Sequence, residues 1–113
     1  MISVDVDINE NFFKDIKLNV EENVKNELID AIEYEQIIPY DTGATQQSLN
    51  NSKIEGSKIV LKNTTPYASK IYNENNFKRV KNKNATGQWF NKFFDRRANT
   101  VLEIVQKSII KFL

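Results

Sequence analysis

The sequence predicts an α+β fold in which two long amphipathic helices, N-terminal and C-terminal, pack on one face of a small antiparallel sheet. Three observations predict it. Residues 2–8 alternate apolar and polar side chains, whereas residues 10–36 and 88–113 repeat apolar side chains every three or four positions. A chain of 113 residues has the length of one domain, so we expect a single domain over residues 1–113.

The first predicted element is a strand over residues 2–8. Its β-branched side chains recur with a period of two, which is typical of a half-buried strand. The side chains expected on its apolar face are Ile2, Val4, Val6 and Ile8. Asn9 is a suitable N-cap for the helix that follows, and Glu10 would lie in its first turn, where a negative charge is favourable.

The second element is an amphipathic helix over residues 10–36. Its apolar stripe consists of Phe12, Phe13, Ile16, Val20, Val24, Leu28, Ile29, Ala31 and Ile32. Most of its carboxylates are predicted on the solvent side, among them Glu21, Glu22, Glu33 and Glu35. Pro39 disfavours a helical Ile38, so the helix should end just before that residue. A turn at residues 39–43 and a short helix over residues 44–50 should follow.

The middle of the chain predicts a hairpin and a long loop. Lys53–Glu55 and Lys58–Lys62 read as two short strands joined by a tight turn at Gly56-Ser57. Residues 67–72 fit a strand or a short helix, and the sequence leaves that choice open. Residues 73–88 are polar and rich in Asn and Lys, which predicts a mobile surface loop.

The last element is an amphipathic helix from about Gln88 to the C-terminus. A single helix of this length would extend about 37 Å. Its apolar positions are Trp89, Phe90, Phe93, Phe94, Ala98, Val101, Leu102, Val105, Ile109 and Phe112. Because aromatic side chains on an apolar helix face are usually buried, we expect Trp89, Phe90 and Phe93 to anchor the core.

The composition excludes several classes of site. The chain lacks cysteine and histidine, so it has no disulfide, no thiolate nucleophile and no imidazole base or metal ligand. Ser48, Ser52 and Ser69 have no histidine to activate them. We therefore expect no enzyme activity, no cofactor and no metal site. No apolar run is long enough for a membrane span, and the N-terminus lacks the basic segment of a signal peptide, so we expect action inside a cell or in a particle assembled there.

Charge is divided unevenly along the chain. Residues 1–41 carry 3 basic and 11 acidic side chains, a net charge of −8, whereas residues 42–113 carry 13 and 4, a net charge of +9. One basic run, residues 78–83, is flanked by Phe77 and Trp89. Basic groups near aromatic rings can neutralise phosphate and stack on bases, so a small nucleic-acid-binding module using residues 78–83 is one hypothesis. A solvated loop without a ligand is the alternative.

Three segments, in order, carry a resemblance to a known family. They are Ile38-Pro39-Tyr40-Asp41-Thr42-Gly43-Ala44 with Ser48-Leu49, Thr65-Pro66-Tyr67-Ala68 with Ile71-Tyr72, and Asn84-Ala85-Thr86-Gly87-Gln88-Trp89-Phe90. Their order and spacing, over roughly residues 36–98, resemble the minor capsid proteins of tailed phages that infect Gram-positive bacteria. That family is similar in turn to the tail-completion, or head–tail joining, proteins.

The resemblance implies a structural virion protein of a tailed phage or prophage that forms part of the head–tail neck as a ring. Its expected partners are further copies of itself, a connector or stopper protein, and the tail tube or tail terminator, while DNA passes nearby without specific binding. The expected locations are the virion and, during assembly, the bacterial cytoplasm, without membrane contact. The loop 73–88 should become ordered on docking.

The residues expected to contact these partners lie mainly in exposed loops, where binding residues are commonly found. They are Tyr40, Asp41, Thr42, Gly43, Pro66, Tyr67, Lys78, Arg79, Lys81 and Lys83. In a ring, the acidic N-terminal part of one subunit could face the basic part of its neighbour, which would set register and speed of assembly. An acidic surface that lines the DNA channel is the other arrangement, and the sequence leaves both open.

Overall fold

The chain folds as a three-stranded antiparallel sheet with helices from both ends of the sequence packed on it, which confirms the predicted α+β class. The computed structural model describes residues 1–7, 15–38, 44–55, 58–65, 68–73 and 84–113. The elements in chain order are β1 (Ile2–Asp7), α1 (Lys17–Glu35), α2 (Ala44–Gln47), a 3₁₀ turn (Ser48–Asn51), β2 (Lys53–Glu55), β3 (Lys58–Asn63), α3 (Ala68–Tyr72), α4 (Trp89–Arg96) and α5 (Ala98–Phe112). The predicted N-cap Asn9, the hairpin turn Gly56-Ser57 and most of the predicted loop 73–88 lie outside the described residues.

The sheet has β3 at its centre, with β1 and β2 antiparallel on either side. β1 shows the predicted alternation, with half-buried apolar side chains and exposed polar ones. On the inner face, Val4 lies opposite Leu61. On the outer face, Lys58 lies between Asp7 and Glu55, so opposite charges alternate across the three strands and favour this register.

α1 covers the inner face of the sheet with its apolar side. Its buried apolar residues are Val20, Val24, Leu28, Ile29 and Ile32, all within the predicted stripe. The helix ends at Glu35, with Gln36 as its C-cap, and so ends before Pro39 as predicted. Gln36 adopts a left-handed conformation with φ 55° and ψ 39°, and its N–H donates to the Glu33 carbonyl at 3.1 Å. A left-handed cap closes the last turn, but for a residue with a Cβ it costs about 1 kcal/mol.

The segments before and after the β2–β3 hairpin form short helices. Residues 44–51 form α2 and the 3₁₀ turn, close to the predicted short helix. The sequence left open whether residues 67–72 form a strand or a helix, and the described residues Ala68–Tyr72 form a helix, α3. It begins where the Ala68 N–H donates to the Thr65 carbonyl at 3.1 Å.

The prediction of a single C-terminal helix is wrong, because the structure divides this part of the chain into two helices at Arg97. This residue has φ −116° and ψ 32°, outside the helical region, and separates α4 from α5. The hydrogen bonds continue across the break, from Arg97 N–H to the Phe93 carbonyl and from Val101 N–H to the Arg97 carbonyl. The change of direction lets α4 bury its aromatic side chains in the core while α5 lies along α1.

One apolar core joins the sheet to α1 and α4. Its most buried side chains are Val20, Val24, Leu28, Ile32, Ile38, Leu49, Ile59, Leu61, Trp89 and Phe90. Phe93 is also buried, at 2% exposure. By contrast, the apolar side chains of α5 are only partly buried or exposed, and Ser108 is the buried residue of that helix.

Candidate functional site: the motif junction

The expected contact residues all fall in segments outside the described residues. Those residues are Tyr40, Asp41, Thr42, Gly43, Pro66, Tyr67, Lys78, Arg79, Lys81 and Lys83. The expected core anchors Trp89, Phe90 and Phe93 lie in the core at the start of α4. The structure does describe the residues that flank each contact segment, and these residues meet in one place. We call this place the motif junction; it comprises residues 36–38, 44–48, 63–65, 72–73 and 84–91.

Asn63, at the end of β3, is the centre of the motif junction. Its side chain is fully buried, and its Nδ2 donates to the Thr45 carbonyl at 2.6 Å and to Ser48 Oγ at 3.4 Å. Its Oδ1 accepts the indole N–H of Trp89 at 2.9 Å. One amide therefore joins the first motif segment, through Thr45 and Ser48, to the third, through Trp89.

A second set of contacts joins the first and second motif segments. Thr45 Oγ1 and Thr65 Oγ1 share a hydrogen bond at 3.0 Å. Ser48 Oγ donates to the Thr45 carbonyl at 2.6 Å and accepts the Thr64 N–H at 3.0 Å. Thr45 lies two positions after the undescribed segment 39–43, and Thr65 lies one position before the undescribed segment 66–67. The chain therefore leaves the first segment and enters the second at the same point of the fold.

The two ends of the 74–83 segment are also tied together. The Gln88 N–H donates to the Tyr72 carbonyl at 2.6 Å, and Gln88 Nε2 donates to Asn73 Oδ1 at 2.8 Å. Gln88 has a positive φ of 54°, which directs the chain from this contact into α4. The ring of Tyr72 packs edge-on against that of Trp89, with the centroids 4.6 Å apart. The second and third motif segments are therefore in direct contact.

The third motif segment also contacts the chain before residue 39. The Asn84 N–H donates to the Gln36 carbonyl at 3.2 Å, and the Thr86 N–H donates to the Ile37 carbonyl at 3.0 Å. Asn84 Nδ2 reaches the Glu35 carbonyl at 2.8 Å. These bonds satisfy carbonyls at the end of α1 that a helix leaves without partners. They also place the end of the 74–83 segment beside the start of the 39–43 segment.

The chemistry of the motif junction is that of a scaffold. Its polar groups are neutral amides, hydroxyls and backbone groups that bond to one another, and burial raises the pKa of the Tyr72 hydroxyl. No group of three or more carboxylates in the described part of the chain is placed to hold a metal ion. Among those same residues, no helix is both long and apolar enough to cross a lipid bilayer.

The predicted solvent position of Glu21 on α1 is wrong. Its side chain is 3% exposed, and its Oε2 is buried without a hydrogen-bond partner. Burial raises the pKa of this carboxyl, Lys17 lowers it, and Asp7 and Glu22 raise it further. The helical wheel failed here because Glu21 adjoins Val20 and Val24, at the edge of the apolar stripe that packs on the sheet.

Glu35 is also largely withdrawn from the predicted acidic surface. Its carboxylate receives two hydrogen bonds from the Arg97 guanidinium, at 2.5 and 3.2 Å, and this contact raises the pKa of Arg97. The acidic and basic parts of the chain therefore neutralise each other at this point. Glu27, Asp30 and Glu33 remain at least partly exposed on α1, and burial, with Asp30 nearby, raises the pKa of Glu33.

Sequence reasoning missed Asn63, Thr45 and Ser48 as the residues that hold the motif segments together. The predicted strand ends at Lys62, one residue before Asn63, and Ser48 is considered in the sequence only as a hydroxyl without an activating base. One signal could have identified Asn63. A tryptophan expected in the core, Trp89, needs an acceptor for its N–H, and the side-chain amide of Asn63 stands at the end of the apolar run of β3.

No protein-family model, curated protein or solved structure matches the chain. Any functional assignment therefore depends on the residues of the chain and on the contacts among them.

Proposed function

We propose that the chain is a structural virion protein of a tailed phage or prophage, one subunit of a ring in the neck between head and tail. The observation that carries this proposal is the motif junction. The three segments whose order and spacing resemble minor capsid and tail-completion proteins lie far apart in sequence, yet hydrogen bonds join them through Asn63, Thr45 and Gln88.

The motif junction supports a binding role because it fixes the bases of three candidate contact segments. Loops that bind partners are commonly positioned by a rigid scaffold. The buried bond between Asn63 and Trp89 and the aromatic contact of Trp89 with Tyr72 supply that rigidity. In the proposed ring, residues 39–43 and 66–67 are the candidate contacts with the connector, the stopper or the tail.

Neighbouring subunits in this proposal attract one another through charge. The exposed acidic face of α1 retains Glu27, Asp30 and Glu33, since Glu21 is buried and Glu35 pairs with Arg97. The basic segment 78–83 of the adjacent subunit is the complementary surface. Such pairing mainly sets register and association rate, and salt weakens it.

A second candidate function, nucleic-acid binding, is favoured by one observation. A small cleft of about 140 Å³ beside Asn84 is lined by Lys92, Arg96 and Arg97. These basic groups flank the end of the 74–83 segment, so they would add to a phosphate-binding surface. However, Arg97 pairs with Glu35 and Lys92 contacts Thr86, which leaves Arg96 as the group best placed for phosphate.

The direct test is to look for the protein in purified phage particles. Mass spectrometry should find the chain in mature virions at a constant ratio to the portal protein. Deletion of its gene should yield DNA-filled heads and free tails that do not join. Absence of the chain from particles, or normal particles after deletion, would overturn the proposal.

A matched pair of charge variants tests the ring. The triple variant Glu27→Gln, Asp30→Asn and Glu33→Gln removes three charges from α1. The control, Asp5→Asn, Glu55→Gln and Asp95→Asn, removes the same number of exposed charges elsewhere. Light scattering at low salt should show oligomers for the wild type and the control but not for the α1 variant, and added salt should dissociate them. Salt-sensitive affinity for duplex DNA, lost on substituting Lys78, Arg79, Lys81 and Lys83, would instead support the second candidate.

A further inference from the structure

A groove of about 740 Å³ lies between α1 and α5, and we call it the α1–α5 groove. Its floor is apolar, because Phe93 belongs to the core and Ala31 and Ile104 pack against it. Toward one end of the groove, Asn23 Nδ2 donates a hydrogen bond to the buried Ser108 Oγ at 2.8 Å. This bond and the apolar contacts join the two helices, so the groove is a fixed feature of the fold.

The middle of the α1–α5 groove is acidic. Glu27 and Asp30 are exposed on its α1 wall, and neither forms an ion pair or a side-chain hydrogen bond within the described part of the chain. The cations that line the groove do have partners: Arg97 pairs with Glu35, Lys107 with Glu103, and Lys111 donates to Asn23 Oδ1 at 3.3 Å. Glu103 raises the pKa of Lys107, and Glu27 adds only a weaker effect. The two carboxylates in the middle of the groove can therefore accept cations from outside.

An aromatic ring stands beside these carboxylates. Tyr34, about one turn after Asp30 on α1, lines the groove and is 87% exposed. A guanidinium or ammonium group can stack on such a ring while it pairs with a neighbouring carboxylate. An apolar floor, two carboxylates and an exposed tyrosine together suit a peptide that is basic and also carries an apolar side chain.

One segment of the chain has the complementary composition. Residues 78–83, Lys-Arg-Val-Lys-Asn-Lys, contain four cations, no carboxylate and one apolar side chain, Val80, and no other six consecutive residues carry as many cations. We propose that residues 78–83 of one subunit bind in the α1–α5 groove of the next. The cations pair with Glu27 and Asp30 and stack on Tyr34, and Val80 contacts the floor beside Ile104.

This inference rests on the ring of the proposed function and names the surface by which its subunits join. A groove on one subunit and a segment on the next are two different surfaces, which is the kind of contact that closes a ring. Ten residues separate Asn73 from Asn84, so the middle of the segment can extend up to about 17 Å from these two residues. The groove also restricts the charge pairing to part of α1, because Glu33 does not line it.

Intermolecular paramagnetic broadening tests the contact in the intact chain, and the absence of native cysteine allows a single label. An unlabelled Asn76→Cys chain that carries a nitroxide is mixed at low salt with isotope-labelled wild type, and the nuclear magnetic resonance spectrum of the wild type is recorded. The backbone amides around Glu27, Asp30 and Ile104 should broaden, those of β2 should not, and added salt should remove the effect.

Two double variants of the isotope-labelled chain locate the contact. Glu27→Gln with Asp30→Asn should weaken it about threefold to tenfold and remove most of the broadening. The matched control, Asp5→Asn with Glu33→Gln, removes two carboxylates outside the groove and should broaden like the wild type. Circular dichroism checks that both variants are folded. An equal loss in the two variants would indicate a contact with acidic surface in general and would overturn the inference.

Two other outcomes would also overturn it. Absence of intermolecular broadening at the groove is one. The other is broadening that occurs only when nitroxide and isotope are in the same chain, which would mean that residues 78–83 occupy the groove of their own subunit. The virion test decides the proposed function separately. A chain absent from particles that still shows the groove contact overturns the function alone, and a chain found in particles without this contact overturns the inference alone.

Discussion

Replacing Glu21 with glutamine should stabilise the fold at neutral pH. The Glu21 carboxylate is buried in α1, and its Oε2 has no hydrogen-bond partner. A buried acceptor left without a partner costs about 1–3 kcal/mol, and the neutral amide avoids the charged part of this cost. Because the buried amide also needs partners, we expect Glu21→Gln to recover only part of this cost, about 1 kcal/mol of unfolding free energy at pH 7, or roughly 4 °C of melting temperature.

The pH dependence of this gain follows from the pKa of Glu21, which burial raises above the ordinary value for a glutamate. Below the unfolded-state pKa of about 4.3, the carboxyl is protonated in both states and the wild type carries no penalty. As the pH rises, the carboxyl ionises first in the unfolded chain, so the folded wild type loses stability. The loss is complete above the folded-state pKa. The gain from Glu21→Gln should therefore be small near pH 4 and larger at pH 7.

Urea titrations of the wild type and Glu21→Gln at pH 4 and pH 7 measure this difference. Glu22→Gln is the matched control, because its carboxylate is 49% exposed and pairs with Lys25 at 3.1 Å. The control should change stability by no more than about 0.5 kcal/mol at either pH. A Glu21→Gln variant no more stable than the wild type at pH 7, or equally stabilised at both pH values, would refute the reasoning that a buried ionised carboxylate destabilises the fold.

Three further predictions concern stability. Trp89→Phe removes the N–H that Asn63 accepts, so urea titration should show a loss of about 2–3 kcal/mol, and unchanged stability would mean that this bond contributes nothing. Gln36→Gly relieves the left-handed cap, and thermal melting should show a gain of about 0.5–1 kcal/mol; a lower melting temperature would contradict it. A double-mutant cycle with Glu35→Gln and Arg97→Ala should give a small coupling that shrinks with salt, because the Arg97 side chain is 50% exposed, and a coupling that salt leaves unchanged would argue against it.

The secondary structure was largely predictable because its signals are local. The alternation in β1, the stripe of α1 and the turn residues between β2 and β3 each depend on a few neighbouring positions. The division of the last helix at Arg97 was not predictable in this way. The apolar spacing continues through that residue, and the partner of its side chain, Glu35, lies 62 positions away.

The candidate site was only partly predictable for the same reason. Sequence order identified three motif segments, but not that Asn63 would join two of them, since the bond from Trp89 spans 26 residues. The burial of Glu21 is a further example. A helical wheel gives the angle of a side chain around the axis, but the width of the surface that covers α1 depends on elements elsewhere in the chain.

The register of the sheet has a consequence for synthesis on the ribosome. β1 is made first, yet it pairs with β3, so Ile2 lacks its partner Asn63 until that residue has been translated. Trp89, which completes the buried bond to Asn63, follows 26 residues later, or about 1–5 s at usual translation rates. During that interval the apolar side of α1 lacks much of its cover. The nascent chain should therefore recruit chaperones, and rare codons between residues 63 and 89 should lower the yield of folded protein more than rare codons in α5.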